Sequence, residues 1–162
     1  HRSRLHLEES FPVHIRDSAG VTLATRDILV ARFDSLTVMV NHHPSKIGGK
    51  SDRRLAAFSR MEAVADSLLA AGAGRIVSVG DFNDDLWHSG GHGTIKYNGK
   101  WEKIDGHFTY GQVSVREDVF DDPPLLTRDK VFGGLKPRRT FVGPKYEGGL
   151  SDHLPVALMV TF

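Results

Sequence analysis

The sequence predicts an α/β protein in which several short strands are combined with one long helix. Short apolar runs and alternating apolar and polar residues recur along most of the chain, as is typical of strands. A single segment, residues 51–71, instead repeats apolar residues at helical spacing, including Leu55, Phe58 and Leu68. Strands therefore dominate the prediction, and the helix is expected to cover a sheet.

The predicted elements follow from pattern and turn chemistry. Strands are predicted, in chain order, at residues 11–16, 21–25, 27–33, 36–40, 75–80, 94–97, 100–108 and 156–162. Asp34-Ser35 is expected to join an antiparallel hairpin, and Asn98-Gly99 is a strong two-residue hairpin signal. Residues 121–150 are rich in proline and glycine and predict a long surface loop with little regular structure.

The helix has recognisable ends. Ser51 and Asp52 are both favourable N-cap residues, so the helix is expected to begin at one of them. Gly72 and Gly74 are expected to end it. With 162 residues and no visible linker, repeat or low-complexity tract, residues 1–162 are predicted to form a single domain.

Composition narrows the classes of function only a little. The formal net charge is +1 with a pI near 8.3, so charge alone names no partner. The chain has no cysteine, which excludes disulfides and a thiolate nucleophile. It begins at His1 without a signal peptide, and we expect it to be a piece of a longer protein. Its location stays open, with secretion or a periplasmic site among the alternatives.

The string Gly80-Asp81-Phe82-Asn83-Asp84 is the most informative segment. It follows a short apolar run, residues 75–79, that predicts a buried strand. Because side chains alternate along a strand, Asp81 and Asn83 are expected to share one side and to offer a carboxylate and an amide together. Such a pair can bind a metal ion, a water molecule or an anionic oxygen.

Other polar candidates also lie at predicted strand ends. His42 ends one strand, Asp105 lies on another, and Asp152-His153 precedes the last. Sheets bring such ends to one rim, so these residues are expected to meet there. Imidazole and amide donors can offset the charge of a phosphoryl transition state, and carboxylates can bind Mg²⁺ or accept a proton from water. The set predicts hydrolysis of a phosphate ester.

Four segments in chain order carry a resemblance to a known family. They are Val40-Asn41-His42-His43-Pro44-Ser45-Lys46, Gly80-Asp81-Phe82-Asn83-Asp84, Trp101-x-x-Ile104-Asp105 and Ser151-Asp152-His153-Leu154-Pro155-Val156. Together they resemble the successive motifs of the endonuclease/exonuclease/phosphatase superfamily, the fold of DNase I, abasic-site endonucleases, inositol polyphosphate 5-phosphatases and neutral sphingomyelinases. The resemblance covers about residues 27–162. The segment Lys136-Pro137-x-Arg139-Thr140 resembles the corresponding segment of bacterial members of this superfamily.

This resemblance implies a four-layer α/β sandwich of the DNase I type and a role for each matching residue. His42 would donate to the scissile phosphate. Asp81 would orient or deprotonate the attacking water. Asn83 would hold that water or a phosphate oxygen. The identity of the general base stays open.

The later motifs imply the remaining roles. Asp105 would hydrogen-bond His153 and fix its orientation, and His153 would stabilise charge on the phosphorus centre. Asp152 would help to bind the metal ion, Mg²⁺ or Mn²⁺, and Arg139 would bind substrate. Nucleic acid, a phospholipid headgroup and a sugar phosphate are all open as the substrate.

The sequence also departs from the family pattern. His43 stands where the bacterial relatives are expected to have Trp, and we expect it to be a surface residue. Family members have an N-terminal half with an early Asn and a Glu that is the principal Mg²⁺ ligand, and Glu8 and Glu9 lack that motif. Much of the N-terminal half is therefore expected to be absent, and the missing half or a symmetry mate is expected to cover the exposed sheet.

Two alternatives remain beside this interpretation. This chain alone is expected to be weakly active or inactive, and a non-catalytic binding or assembly module with the same fold is the rival function. His88 and His92 are four residues apart and could suggest zinc, but the intervening Gly90-Gly91 argues against a helix, so a polar loop is the preferred interpretation.

Overall fold

The structure is a computed structural model that describes residues 5–46, 48, 51–86 and 92–162. Its elements within these residues are β1 Leu7–Val13, β2 Ile28–Phe33, β3 Thr37–His42, α1 Ser51–Ala70, β4 Arg75–Asp81, β5 Ile95–Tyr97, β6 Lys100–Glu102, β7 Asp105–Gly111, β8 Ser114–Val119, a 3-10 helix Pro123–Leu125, β9 Leu126–Arg128, β10 Leu135–Pro137, β11 Phe141–Val142, β12 Lys145–Tyr146 and β13 Val156–Thr161.

These elements group into two compact units. Unit 1 takes the described residues of His1–Asn83, Gly106–Val115 and Val160–Phe162, and unit 2 takes those of Asp84–Asp105 and Arg116–Met159. The predicted organisation of residues 1–162 as a single domain stays a prediction. Among the helices of the described residues, none is long and apolar enough to cross a membrane.

Unit 1 is built on a five-stranded sheet with the order β1-β2-β3-β4-β7. The β2–β3 pair is the predicted antiparallel hairpin, whereas β3 and β4 run parallel. A parallel pair needs a crossover connection, and α1 supplies it. The predicted helix is confirmed, and so is the strand that precedes the Gly80-Asp81 motif.

Helix α1 packs on one face of this sheet through a narrow apolar stripe. Its buried residues include Ala57, Met61 and Ala65, and the Ser78 hydroxyl of β4 lies 3.1 Å from the Met61 sulfur. Strand alternation places Leu29 and Val40 on the opposite face, where both are exposed. That another chain segment or copy covers this face stays a prediction.

The expectation that His43 lies on the surface was wrong. His43 is 1% exposed, and its ring packs edge-on against Phe58 at 4.5 Å and Phe82 at 5.1 Å between centroids. Phe108 completes this aromatic cluster. The reason is strand alternation, since Asn41 and His43 share the face that packs inward while His42 points outward.

The elements near the N-terminus differ from the prediction. The first strand runs from Leu7 to Val13 rather than over 11–16, because its pairing partner is β2. The predicted strand at 21–25 is reduced to an isolated bridge between Arg16 and Thr22. The intervening turn is instead held by the Asp17 carboxylate, which accepts from two backbone N–H groups.

Unit 2 contains short antiparallel hairpins. The predicted Asn98-Gly99 hairpin joins β5 and β6, and both turn residues have positive φ, as a primed turn requires. The single strand predicted over 100–108 was wrong, because the chain leaves the β5 ladder after Glu102 and begins β7 at Asp105.

The prediction that residues 121–150 form a loop with little regular structure was also wrong. This stretch forms the hairpins β9–β10 and β11–β12, whose strands have only two or three residues. Strands of that length are too short to show an alternating pattern. The C-terminal strand is confirmed as β13, and its partner β8 had no predicted counterpart.

Candidate active site

The ends of two parallel strands in unit 1 bring the first candidate residues together. The register of β3 and β4 places His42 opposite Asp81. Their side chains approach with 3.6 Å between His42 Nε2 and Asp81 Oδ2, which is an ion-pair distance when the imidazole is protonated. The pair therefore joins a potential donor to a carboxylate at one edge of the sheet.

The glycine of the Gly-Asp motif is required by the close approach of these strands. Gly80 has φ +143°, and a Cβ added there would lie 2.0 Å from the carbonyl oxygen of Asn41. Any other residue would force the strands apart. The sequence Gly80-Asp81 thus allows β4 to remain paired with β3 up to the residue that carries the carboxylate.

Asn83 is held in a turn directly after β4. Its backbone N–H donates to Asp81 Oδ1 at 2.8 Å, and its φ of 50° lies in the left-handed region that Asn tolerates. The side-chain amide nitrogen donates to the carbonyl oxygen of His43 at 2.9 Å. Asn83 is buried, so this amide fixes the turn, and its contact with water or phosphate stays a prediction.

The second group of candidate residues lies in unit 2. His153 Nδ1 and Asp105 Oδ2 are 2.8 Å apart, although 48 residues separate them in sequence. Two other histidines contact an aspartate at 2.9 Å, His14 with Asp27 and His92 with Asp121, but these pairs are more exposed. The side chains of His153 and Asp105 are only 25% and 20% exposed, which strengthens their interaction.

Thr94 positions this pair and was missed by the sequence interpretation. It is completely buried, and its hydroxyl oxygen accepts from the backbone N–H groups of Ile104 at 3.0 Å and Asp105 at 3.2 Å. Its carbonyl oxygen accepts from the N–H of Leu154 at 2.7 Å. One residue therefore connects the start of β7 with the segment that carries His153. A single threonine has no local pattern that would reveal this.

Asp152 and Arg139 approach each other in unit 2. Arg139 Nη2 lies 3.7 Å from Asp152 Oδ2, and both side chains are close to half exposed. This distance is longer than a hydrogen bond, so the contact is electrostatic. The predicted metal-binding role of Asp152 and substrate-binding role of Arg139 stay predictions.

The histidines considered for zinc are only partly described. His88 lies outside the residues that the structure describes. His92 forms the ion pair with Asp121 and its ring lies 4.6 Å from that of Trp101. A histidine that packs against an aromatic ring and contacts one carboxylate is well explained without a metal ion.

The sequence matches the model of a known protein family. Residues 2–108 match the model of the family described as "Endonuclease/Exonuclease/phosphatase family". The chain belongs to the endonuclease/exonuclease/phosphatase family. The resemblance drawn from the four motifs is therefore confirmed. Comparison with curated protein sequences finds no match.

Solved structures of the family share the fold. Truncated TDP2 from Caenorhabditis elegans aligns with a TM-score of 0.63 and 14% identity, over 96% of this chain and 66% of that one. Mannosyl-6-phosphatase Bt3783 from Bacteroides thetaiotaomicron aligns with a TM-score of 0.56 and 19% identity, over 98% and 67%. TDP2 from D. rerio, complexed with a single-strand DNA product, aligns with a TM-score of 0.58 and 15% identity, over 98% and 69%.

These alignments establish the DNase I-like α/β fold that was predicted. The chain spans about half to two thirds of the length of the C. elegans TDP2 structures that it matches. Phosphoester hydrolysis is the chemistry of the family in general.

Proposed function

We propose that the protein hydrolyses a phosphate ester by direct attack of an activated water molecule. The observation that carries this proposal is the contact of His153 Nδ1 with Asp105 Oδ2 at 2.8 Å. This pair is less exposed than the His14–Asp27 and His92–Asp121 pairs. With the proton on Nδ1, the N–H donates a hydrogen bond to the Asp105 carboxylate, and the negative charge of that carboxylate stabilises an imidazolium. His153 can then stabilise the negative charge that develops on the phosphoryl oxygens.

The residues of unit 1 offer a carboxylate and donors for the same kind of reaction. Asp81 accepts the proton of the attacking water or orients that water, and His42, 3.6 Å from Asp81, donates to a phosphoryl oxygen. Asn83 fixes the turn next to Asp81 and offers a further polar group. Family membership supports the proposal that these residues take part in phosphoester hydrolysis.

A divalent cation, Mg²⁺ or Mn²⁺, fits the chemistry of the donor set. Asp152 offers carboxylate oxygens, the ligands that these hard cations prefer, and it is close to half exposed. When bound, the cation would offset charge on the phosphoryl oxygens and lower the pKa of a bound water. We propose Asp152 as one of its ligands, and Arg139 as a group that binds the substrate's phosphate.

Matched histidine variants test this function. His153→Gln should lower hydrolysis of bis(p-nitrophenyl) phosphate or p-nitrophenyl phosphate by at least about 100-fold in Mg²⁺, the usual contribution of such a group. His92→Gln removes a histidine–aspartate contact of similar length, 2.9 Å, in the same unit and should leave the rate within about twofold. Equal losses in both variants, or no loss in His153→Gln, would contradict the proposal.

The rival is a binding module that has kept the fold and lost the chemistry. Orthovanadate binding, followed by calorimetry, separates the two. Turnover that disappears with His153→Gln supports the enzyme, whereas vanadate binding without hydrolysis of either ester, even by the full-length protein, supports the rival. The choice between the two esters also separates a phosphodiesterase from a phosphomonoesterase. A mannosyl-6-phosphatase and a DNA-product complex among the structural neighbours make both worth testing.

A further inference from the structure

The charge of the chain is distributed unevenly. Residues 126–150 contain six Lys or Arg and two Asp or Glu, a net charge of +4. The rest of the chain contains 15 and 18, a net charge of −3. The overall charge of +1 therefore conceals a strongly cationic segment, which coincides with the hairpins β9–β10 and β11–β12 of unit 2.

The cations of this segment surround one cavity of about 470 Å³. They are Arg128, Lys130, Lys136, Arg138, Arg139 and Lys145. Among the described residues of the lining, Glu147 is the only carboxylate. Its pKa is held below its usual range by the hydrogen bond from Lys145 and, more weakly, by the charges of Lys130 and Arg138. The described lining therefore holds six cations and one carboxylate, and the cavity retains an excess of positive charge.

The same segment exposes an unusual number of large apolar side chains. They are Val131, Phe132, Leu135, Phe141, Val142, Tyr146 and Leu150. Val131 and Leu150 are each 78% exposed, and the rings of Phe141 and Tyr146 pair across β11–β12 at 5.4 Å. Monomeric soluble proteins rarely leave so many apolar groups of one segment in water, so this exposure indicates a partner.

The apolar and cationic groups are neighbours rather than separate features. A second cavity of about 200 Å³ is lined by Val131 and Phe132, and it shares Lys136, Arg139 and Val142 with the cationic cavity. Val131, Phe132 and Val142 therefore lie beside the cations. We call the exposed and cationic side chains of this segment the hairpin surface. It consists of the six cations and seven apolar residues named above.

We propose that the hairpin surface docks the protein onto an anionic lipid membrane. Cations near such a membrane are attracted by its negative surface charge, and exposed aliphatic and aromatic side chains enter the boundary between headgroups and acyl chains. The protein would lie on the membrane without crossing it. The proposal does not depend on the hydrolytic function, because docking is measured without turnover.

Two other occupants fit the surface less well. Single-stranded nucleic acid would use the cations and could stack on Phe141 and Tyr146. It offers nothing, however, to the exposed aliphatic side chains of Val131, Val142 and Leu150. A second copy of the chain would bring two segments of charge +4 together, which electrostatic repulsion opposes. The combination of positive charge and aliphatic groups favours lipid.

Vesicle sedimentation tests the proposal directly. The chain should bind vesicles of phosphatidylcholine with about 30% phosphatidylserine at least about tenfold more tightly than pure phosphatidylcholine vesicles. Binding should weaken when NaCl is raised from about 0.1 M to about 0.5 M, because salt screens the charges. Equal affinity for neutral and anionic vesicles, or no binding to either, would overturn the proposal.

A charge-matched pair of variants locates the contribution of the cations. Lys130→Gln with Lys145→Gln should weaken binding to anionic vesicles about 25-fold, since one basic residue near the surface contributes roughly a factor of five. Arg60→Gln with Arg116→Gln removes the same charge from exposed positions elsewhere and should change binding by less than about twofold. If the two double variants lose affinity equally, the hairpin surface is not the docking site.

The apolar groups are tested in the same manner. Val131→Ser with Leu150→Ser should weaken vesicle binding at least about fivefold. Val21→Ser with Leu55→Ser alters two exposed apolar residues of unit 1 and should have little effect. A single-stranded oligonucleotide that competes with vesicles, and whose binding ignores the Val131 and Leu150 changes, would assign the surface to nucleic acid. A dimer in sedimentation velocity that this variant abolishes would assign it to self-association. Either result overturns the lipid proposal.

Discussion

The hydroxyl of Thr94 should contribute far more to the free energy of unfolding than the hydroxyl of a typical buried threonine. The substitution Thr94→Val tests this expectation. Valine has nearly the same shape, so the substitution removes the hydroxyl and leaves little cavity. Two backbone N–H groups, those of Ile104 and Asp105, then lose their acceptor. Thr94 is 0% exposed, so solvent does not readily replace that acceptor.

The magnitude follows from these two groups. Each buried donor left without a partner costs about 1–3 kcal/mol, so Thr94→Val should lower the free energy of unfolding by about 2–6 kcal/mol. The backbone hydrogen bonds of Thr94, to Glu102 and from Leu154, do not use the side chain and should persist. The loss should therefore concentrate at the start of β7, where Asp105 is held.

Urea denaturation of wild type, Thr94→Val and Thr94→Ser provides the measurement. Serine keeps the hydroxyl and loses one buried methyl group, so it should cost only about 1 kcal/mol. The low-field proton resonance of His153 Nδ1–H should also shift in Thr94→Val, because Asp105 is its partner. A valine variant that is as stable as wild type, or more stable than the serine variant, would refute the reasoning.

Three further outcomes are expected. Gly80→Ala should cost more than about 3 kcal/mol in urea denaturation, because its Cβ would clash with a carbonyl oxygen of the neighbouring strand. Gly20→Ala, which also has positive φ but meets nothing within 4 Å, should cost only about 1–2 kcal/mol, and similar losses would contradict the packing argument. The backbone N–H of Phe132 and other donors lower the pKa of the buried Asp129 carboxyl. The contribution of Asp129 to the free energy of unfolding is therefore fully present above the unfolded-state pKa, about 3.9. It is lost as the pH falls through the lower pKa of the folded state. Asp129→Asn should remove that part of an acid-denaturation curve, and an unchanged curve would refute it. Burial and a hydrogen bond to a helix carboxylate raise the pKa of Tyr110, so stability should fall as pH rises above about 10. Tyr110→Phe should abolish this alkaline loss in thermal melts, and a persistent loss would point to another group.

Several features of the fold could be predicted because their determinants are adjacent in sequence. The α1 stripe, the β2–β3 hairpin and the Asn98-Gly99 turn each follow from a local pattern. The alternation of side chains that exposes His42 also predicts that His43 is buried, although His43 was expected to be a surface residue. The strands of residues 121–150 could not be predicted from the sequence, because two or three residues are too few to show an alternating pattern.

Some residues of the candidate site were likewise predicted from local motifs, whereas one contact was not. His42, Asp81 and Asn83 were found from motifs at strand ends, and the parallel register then places His42 opposite Asp81. The contact of Asp105 with His153 was implied only by resemblance to the family, since nothing in either local sequence specifies a partner 48 residues away.

The amino-acid sequence by itself determined the family, the helix and the strand that delivers Asp81, because neighbouring residues encode these through periodicity, turn chemistry and motif. Only the tertiary structure decided that a buried hydroxyl at Thr94 holds the backbone of Asp105, and that exposed apolar groups and cations gather on two short hairpins. The physical reason is that hydrogen bonds and surfaces of this kind depend on segments that meet only after the chain has folded.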